Sequence, residues 1–425
     1  MLEIQKVRNQ TETIIAALER KRVSTARELV DQVLVADESR RKVLFELERL
    51  RNEMNLTAKS IGLLIKEGRH AEADKAREET AAAKDHIRDL EQQVDVFEKQ
   101  VHDLLVGLPN VPHDTVPTGH TAEDNAVLFQ NDISVQFDFT PKPHWELARS
   151  LDIIDWELGV KIAGAGFPVY KGPGARLQRA MIAFFLDQAT AAGYTEIQPP
   201  LLVNHDSGYG TGQLPDKDGQ MYHAERDGLY LIPTAEVPIT NLYRDVILAE
   251  ADLPVKNCGY TPCFRREAGS YGKDVKGLNR LHQFDKVELV QVVQPDRSYE
   301  VLEEMRAHVE SLLTHLGLPY RRLLLCTGDM SFASAKTYDL EVYSAAQERW
   351  LEVSSVSNFE TFQANRLKLR YRDADKKTHI AHTLNGSALA LPRILAAILE
   401  NYQQADGSVL IPEVLRSYTG FDRIG

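Results

Sequence analysis

Four short segments hold the residue types that could bind and activate a small, charged molecule. The first is Phe264-Arg265-Arg266-Glu267, followed by a polar, glycine-containing stretch and then Arg280-Leu281-His282-Gln283-Phe284-Asp285-Lys286-Val287-Glu288. Alternating apolar residues on both sides predict two antiparallel strands joined by a loop. Side chains two apart share a face of a strand, so Arg265 and Glu267 are expected to look into one site. A guanidinium there suits a phosphate or a carboxylate, because its fork donates two parallel charge-assisted bonds. By itself such a pair is more often a surface ion pair on a hairpin. The second segment, Trp350-Leu351-Glu352-Val353-Ser354-Ser355, offers hard oxygens at Glu352 and Ser355 of the kind magnesium takes alongside nucleotide phosphates. The third runs from Thr383-Leu384-Asn385-Gly386-Ser387 to Pro392-Arg393, where the proline suits the start of a helix over 394–402 and sets Arg393 in its first turn. The fourth is Thr234-Ala235-Glu236, after an apolar run at 229–232.

These segments need a frame, and the pattern around them is mixed helix and strand from about residue 142 onward. Pro173 suits the first turn of a helix whose apolar face is Leu177, Met181, Phe184, Phe185 and Ala189. After Gly193, residues 194–203 read as a strand with Pro199-Pro200 inside, which implies an edge or an interface.

Before that frame lies a different pattern. Val43, Leu47, Leu50, Met54, Thr57, Ile61 and Leu64 alternate spacings of four and three, and after Gly68 the stripe restarts at Thr80, Ala83, Ile87, Leu90, Val94, Phe97, Val101 and Leu104. Two helices joined by Lys66-Glu67-Gly68-Arg69-His70 are expected to fold back as an antiparallel coiled-coil hairpin, about 50 Å long at about 1.5 Å per residue. The bases Arg49, Arg51, Lys59, Lys66, Arg69, Lys75 and Arg77 are interleaved with acids, so the heptads alone suggest a spacer or a dimerisation coil. Prolines 109, 112 and 117 then mark a linker rather than a third helix. The expected division is 1–108, with the arm at about 27–105, a linker at 109–142, and a body at 143–425.

Composition narrows the class. At 425 residues, two or more domains are expected, and 26% charged with 43% hydrophobic residues is the balance of a soluble protein. No apolar run reaches the roughly 20 residues that span a bilayer, so no membrane partner is expected. No signal-peptide pattern opens the chain, and the expected location is the cytoplasm. Cys258, Cys263 and Cys326 have neither disulfide nor zinc spacing. A net charge of -12 disfavours indiscriminate polyanion binding, so any nucleic-acid contact must be local.

Taken together, the segments resemble one family. FRxE followed by RxxxF is similar to motif 2 of the class II aminoacyl-tRNA synthetases, residues 193–200 to motif 1, and residues 387–400 to motif 3. TAE, EVSS, LNGS and the heptad arm resemble the seryl branch, and the likeness runs the length of the chain. It implies an α+β fold: a helical coiled-coil arm, then a catalytic domain with an antiparallel sheet of six or seven strands flanked by helices. It also implies a homodimer with motif 1 at the interface, which activates L-serine with ATP as co-substrate, aided by magnesium. Serine then passes to tRNA(Ser), gripped by the arm, and to tRNA(Sec) where an organism has one.

Carried over by resemblance, Arg265 would bind the α-phosphate and the serine carboxylate, Glu267 the adenine amino group, and Phe284 the adenine face. Arg280 and Arg393 would hold the outer phosphates, with Arg266, Leu281, Val353 and Ser354 completing the ATP site and Glu352 and Ser355 on magnesium. Arg265, Glu267 and Arg393 form the catalytic set. Thr234, Ala235, Glu236, Glu288, Asn385 and Ser387, with Arg265, would line the serine pocket. Two positions depart from the commonest pattern, Pro392 before the motif 3 arginine and Arg266 within FRxE. Two other classes compete: a non-catalytic RNA-binding tether, and an amino-acid ligase acting on a carrier protein, whose relatives lack the arm.

Overall fold

The computed structural model describes residues 1–268 and 276–425, so most of the loop expected between the two motif strands, at 269–275, lies outside the described residues. The chain divides into two compact units, Met1–Pro109 and Asn110–Gly425.

In the first unit, short helices at Ile4–Asn9 and Thr11–Arg20 precede two long ones, Ala26–Lys66 and His70–Gly107. The long pair forms the expected hairpin. Its seam is Leu47, Ile87, Leu90 and Val94, with Val43, Leu44, Leu50 and Met54 against it. The stripe extends further than the apolar pattern suggested, because Ala73 and Ala76 are also buried and carry the three–four spacing back from Thr80 towards the turn. At 41 residues the first helix is about 60 Å long, rather than about 50 Å. Gly68 turns the chain at φ +75°, a conformation glycine adopts without a Cβ clash. Many arm bases are tied to acids: Arg51 to Glu91 across the hairpin at 2.7 Å, Arg69 to Glu72 at 2.6 Å, Arg77 to Asp74 at 3.0 Å. Lys59, Lys66 and Lys75 are exposed and have no ion pair among the described residues.

The second unit is built on one sheet of eight strands. In chain order these are β1 (Ala126–Gln130), β2 (Thr195–Glu196), β3 (Val255–Phe264), β4 (Gln283–Val293), β5 (Tyr320–Leu324), β6 (Lys336–Ser344), β7 (Arg349–Glu360) and β8 (His382–Ala390). Across the sheet they run β1-β5-β6-β7-β8-β4-β3-β2, antiparallel throughout except for β2 beside β3. The count exceeds the six or seven expected because short strands have been added at both edges. One edge, β1, comes from the stretch read as a linker. That stretch is fastened to the second unit, since the Asn110 side-chain amide donates to the carbonyls of Ala333 and Phe359, both at 2.9 Å. The other edge corrects the reading of 194–203 as one strand. Two consecutive prolines remove two ladder donors, and the run breaks into β2 and a separate pair, Leu202–Val203.

One face of the sheet is apolar. Val287, Leu289, Val356 and Leu384 pack there against the helices Gly172–Ala191, Ser298–His315 and Leu391–Asn401. Pro173 and Pro392 both sit in the first turn of their helices, as their fixed φ favours. Among the described residues no helix is long and apolar enough to cross a membrane.

Candidate active site

The other face of the sheet carries the polar residues. Alternation along β4 puts Val287 and Leu289 in the core and turns Phe284, Lys286 and Glu288 to the opposite side. Glu288 lies across from Ser387 of β8, and the same side of β8 presents Thr383 and Asn385. Lys286 and Glu288 are both buried and form an ion pair at 2.5 Å. The Lys286 ammonium also donates to Thr234 Oγ1 at 2.9 Å, and that hydroxyl donates to Glu288 at 3.2 Å. Beside this triad stands Glu236, which accepts from Gln363 Nε2 at 2.6 Å. Gln363 is fixed in orientation, since its Oε1 accepts from Thr383 and its Nε2 also donates to the Thr211 carbonyl. Burial, together with the nearby Glu288 charge, pushes the Glu236 carboxyl up to about 7 against the Gln363 hydrogen bond. The result is a floor with two carboxyl groups and one ammonium, to which a second cation is electrostatically welcome.

Above the floor opens a cavity of about 200 Å³, lined by Arg265, Glu267, Leu278, Asn279, Arg280, Leu281, Phe284, Lys286, Glu352, Val353, Ser354, Ser387, Ala390, Pro392 and Arg393. The Arg265 guanidinium lies 5.2 Å from the centre of the Phe284 ring and donates to the Pro233 carbonyl. Strand alternation is not what brings Arg265 and Glu267 together, because β3 ends at Phe264 and Glu267 adopts φ +50°. Glu267 pairs with Arg280 at 3.0 Å, and Arg393 lies 3.7 Å from the Glu352 carboxylate. These rim charges are partly exposed and satisfied by each other, so an incoming polyphosphate can exchange for the carboxylates.

Glu352 and Ser355 are three apart, a spacing that a regular strand would divide between two faces. A bulge resolves this. Glu352 faces Glu341 and Ser354 faces Leu340, which leaves Val353 with no opposite number and returns Ser355 to the side of Asp339. Ser355 Oγ donates to Asp339 at 2.5 Å and lies 3.5 Å from Glu352 Oε1. Burial, then the Glu352 charge, drives the Asp339 carboxyl well above the usual carboxylate range. Oxygen donors with an excess of negative charge fit magnesium. Among the described residues no group of three or more His, Cys, Asp or Glu is arranged to hold a metal unaided, so nucleotide phosphates would have to complete the shell.

Of the residues expected from sequence, Arg265, Glu267, Arg280, Leu281, Phe284, Glu352, Val353, Ser354, Ser387 and Arg393 line the cavity. Thr234, Glu236 and Glu288 form the floor, with Ala235 buried beside them, while Asn385 lies along β8 and Ser355 behind Glu352. Arg266 is placed otherwise: its amide donates to the Gln220 carbonyl and its guanidinium stands over the Tyr222 ring, away from the lining. Sequence reasoning missed Lys286, Asn279, Gln363 and Asp339. Lys286 was open to discovery, being one alternation from both Phe284 and Glu288. A larger concavity of about 760 Å³ on the first unit, lined by Glu19, Glu28 and Asp31 among others, holds none of the expected residues.

Residues 1–112 match the family model described as the seryl-tRNA synthetase N-terminal domain, and residues 221–402 match the class II tRNA synthetase core domain of the G, H, P, S and T type. A serine–tRNA ligase from Salinibacter ruber is 54% identical over 426 residues, covering 100% of this chain and 99% of its own. The chain belongs to the seryl-tRNA synthetase family. Its fold is that of the family as well. The seryl-tRNA synthetase of Pyrococcus horikoshii, solved in complex with ATP, superposes with a TM-score of 0.93 at 35% identity, over 100% of this chain and 99% of that one. The cytoplasmic serine–tRNA ligase of Naegleria fowleri, in complex with AMP, gives 0.87 at 27% identity, over 100% and 98%. Family membership makes this chain a class II aminoacyl-tRNA synthetase and sets aside both the tether and the carrier-protein ligase.

Proposed function

We propose that the second unit activates L-serine with ATP and that the arm presents a tRNA(Ser), or a tRNA(Sec) where one exists, for transfer. The observation that carries this reading is the buried Lys286–Glu288–Thr234 triad with Glu236, directly beneath a rim of three arginines. In the first step a serine carboxylate oxygen attacks the α-phosphorus as the bond to pyrophosphate breaks. The carboxylate is already ionised, so no general base is needed and positioning supplies much of the rate. Arg265 stabilises the charge that grows on the α-phosphate, Phe284 and Glu267 hold the adenine, and Arg280 and Arg393 the outer phosphates. Leu281, Val353 and Ser354 flank the nucleotide. Magnesium held by Glu352, Ser355 and the phosphates would neutralise phosphate charge. In the second step the terminal ribose hydroxyl of the tRNA attacks the activated carbonyl and AMP leaves.

Thr234, Ala235, Glu236, Glu288, Asn385 and Ser387 select the amino acid, the carboxylates taking its ammonium and hydroxyl. A floor whose buried groups need that hydroxyl rejects alanine by a factor of about 10⁴ or more. Threonine is excluded by want of space for its methyl group. Residues 1–108 serve as the tRNA-binding domain and 143–425 as the catalytic domain, in the cytoplasm. Exposed Leu201 and Leu202 beside the proline break, and Val127 to Phe129 on the free edge of β1, support pairing with a second copy.

The test is amino-acid-dependent exchange of pyrophosphate into ATP with all twenty amino acids, magnesium present and tRNA absent. Exchange with serine alone is expected. Silence across all twenty from folded protein overturns the assignment.

A further inference from the structure

Behind the rim lies a buried polar network that none of the roles above uses. His144 and Glu400 are fully buried and meet at 2.8 Å through His144 Nδ1. Glu400 lies in the last turn of the helix whose first turn holds Pro392 and Arg393, and it also accepts from the His144 amide, Ser344 Oγ and Gln347 Nε2. Burial alone would raise its carboxyl, but the bonds from His144 and Ser344 overcome that and hold it below the usual range. With Nδ1–H given to the carboxylate, Nε2 of His144 is left as an acceptor, and it takes the amide N–H of Leu278 at 2.8 Å. Gly277 closes over the ring: at φ +61° a Cβ there would stand 2.2 Å from Nε2. Asn279, the residue after Leu278, donates its side-chain amide to Gln347 Oε1 at 2.9 Å, and its carbonyl accepts from Arg393 Nε at 3.1 Å.

We infer that His144 and Glu400 are positioning residues for the ATP end of the site, fixing residues 277–279 so that Arg280 and Arg393 are held at the spacing that two outer phosphates require. The inference rests on the proposed ATP site. The network touches the nucleotide-facing rim through Leu278, Asn279 and Arg393 and makes no bond to Thr234, Glu236, Lys286 or Glu288. Its loss therefore moves one substrate's affinity and not the other's. A displacement of about 1 Å at such a rim is enough for a tenfold or larger effect.

His144→Asn keeps a donor near Nδ1 for Glu400 and removes the acceptor for Leu278, whereas His144→Gln can return an acceptor near Nε2. In serine-dependent pyrophosphate exchange by the full-length protein, His144→Asn is expected to raise KM for ATP about tenfold with KM for serine within about threefold, and His144→Gln to restore most of the loss. An unchanged KM for ATP, or equal rises for ATP and serine, overturns the inference. Should His144→Asn fail to fold, Gln347→Ala removes the acceptor of the Asn279 amide, together with one of the donors to Glu400 and Ser344, at a half-buried position while leaving the His144–Glu400 and His144–Leu278 bonds in place. A rise of about threefold in KM for ATP supports the inference and no change overturns it. Wild-type protein that shows no exchange refutes the functional assignment itself and takes the inference with it.

Discussion

The arm and the floor of the site handle charge in opposite ways. Along the arm, ion pairs such as Arg51–Glu91 join side chains that are each about half exposed, at 48% and 46%. In the floor, Lys286 and Glu288 are at 7% and 2%. Pairs in water contribute little individually and are screened by salt. A buried pair gains little over an apolar alternative, yet removing one partner strands a charge where solvent cannot reach it. The arm is therefore a surface in which single charges are replaceable, and the floor is a lock in which none is.

The largest contrast comes from removing one side entirely. Deletion of about residues 27–104 should abolish tRNA charging while serine-dependent exchange persists; loss of exchange too would mean that the body needs the arm to fold or pair. Next, Glu288→Ala leaves Lys286 unpaired, at a cost of about 3–5 kcal/mol, and should raise KM for serine at least about 100-fold with KM for ATP changed by less than about threefold. Comparable losses for both ligands would place Glu288 outside the serine pocket. On the arm, replacing Lys59, Lys66 and Lys75 together by Ala should lower kcat/KM for tRNA about tenfold and flatten its salt dependence, with exchange unaffected. An unaltered salt slope would show that phosphates are gripped elsewhere.

A smaller effect concerns pH. The Glu236 carboxyl titrates at about 7, so the protonated form favours the fold. That stabilisation is complete below the usual carboxylate range and is lost as pH rises through about 7. Glu236→Gln carries no such charge, and the fall in Tm between about pH 6 and about pH 8.5 should shrink by a few degrees. A fall as steep as in the wild type would mean that Glu236 is already ionised at neutral pH. The smallest effect is on the arm again: Arg51→Ala should cost less than about 1 kcal/mol by urea unfolding.

How much of this was legible in the sequence depends on how far apart the partners lie. Arg265, Glu267 and Arg393 were found from short motifs, although the geometry that joins the first two is a positive φ at Glu267 and not strand alternation. Glu352 and Ser355 were named together despite a spacing that a regular strand forbids, and the bulge at Val353 that reconciles them has no local signature. Gln363 meets Glu236 across 127 positions and His144 meets Glu400 across 256, separations at which periodicity carries no information. Pro199-Pro200 was read as an edge signal when two missing donors were enough to end the strand. Ala73 and Ala76 do not stand out in the sequence because methyl groups contribute little to an apolar stripe, though both are buried.

Those two alanines bear on how the hairpin comes apart. Midway along the hairpin, Leu47, Ile87, Leu90 and Val94 interlock as large knobs; towards the turn the second helix contributes only the methyl groups of Ala73 and Ala76, while the first keeps Ile61 and Leu64 partly buried. Helix axes can draw closer there, but each heptad removes less hydrocarbon from water, and the free energy of opening falls from mid-hairpin to turn. Amide hydrogens near Gly68 should exchange earliest and those beside Leu90 late, so that the hairpin unzips from its far end like a one-dimensional lattice. A hairpin built this way can fray and re-form at its tip while the global unfolding of the body stays as it was.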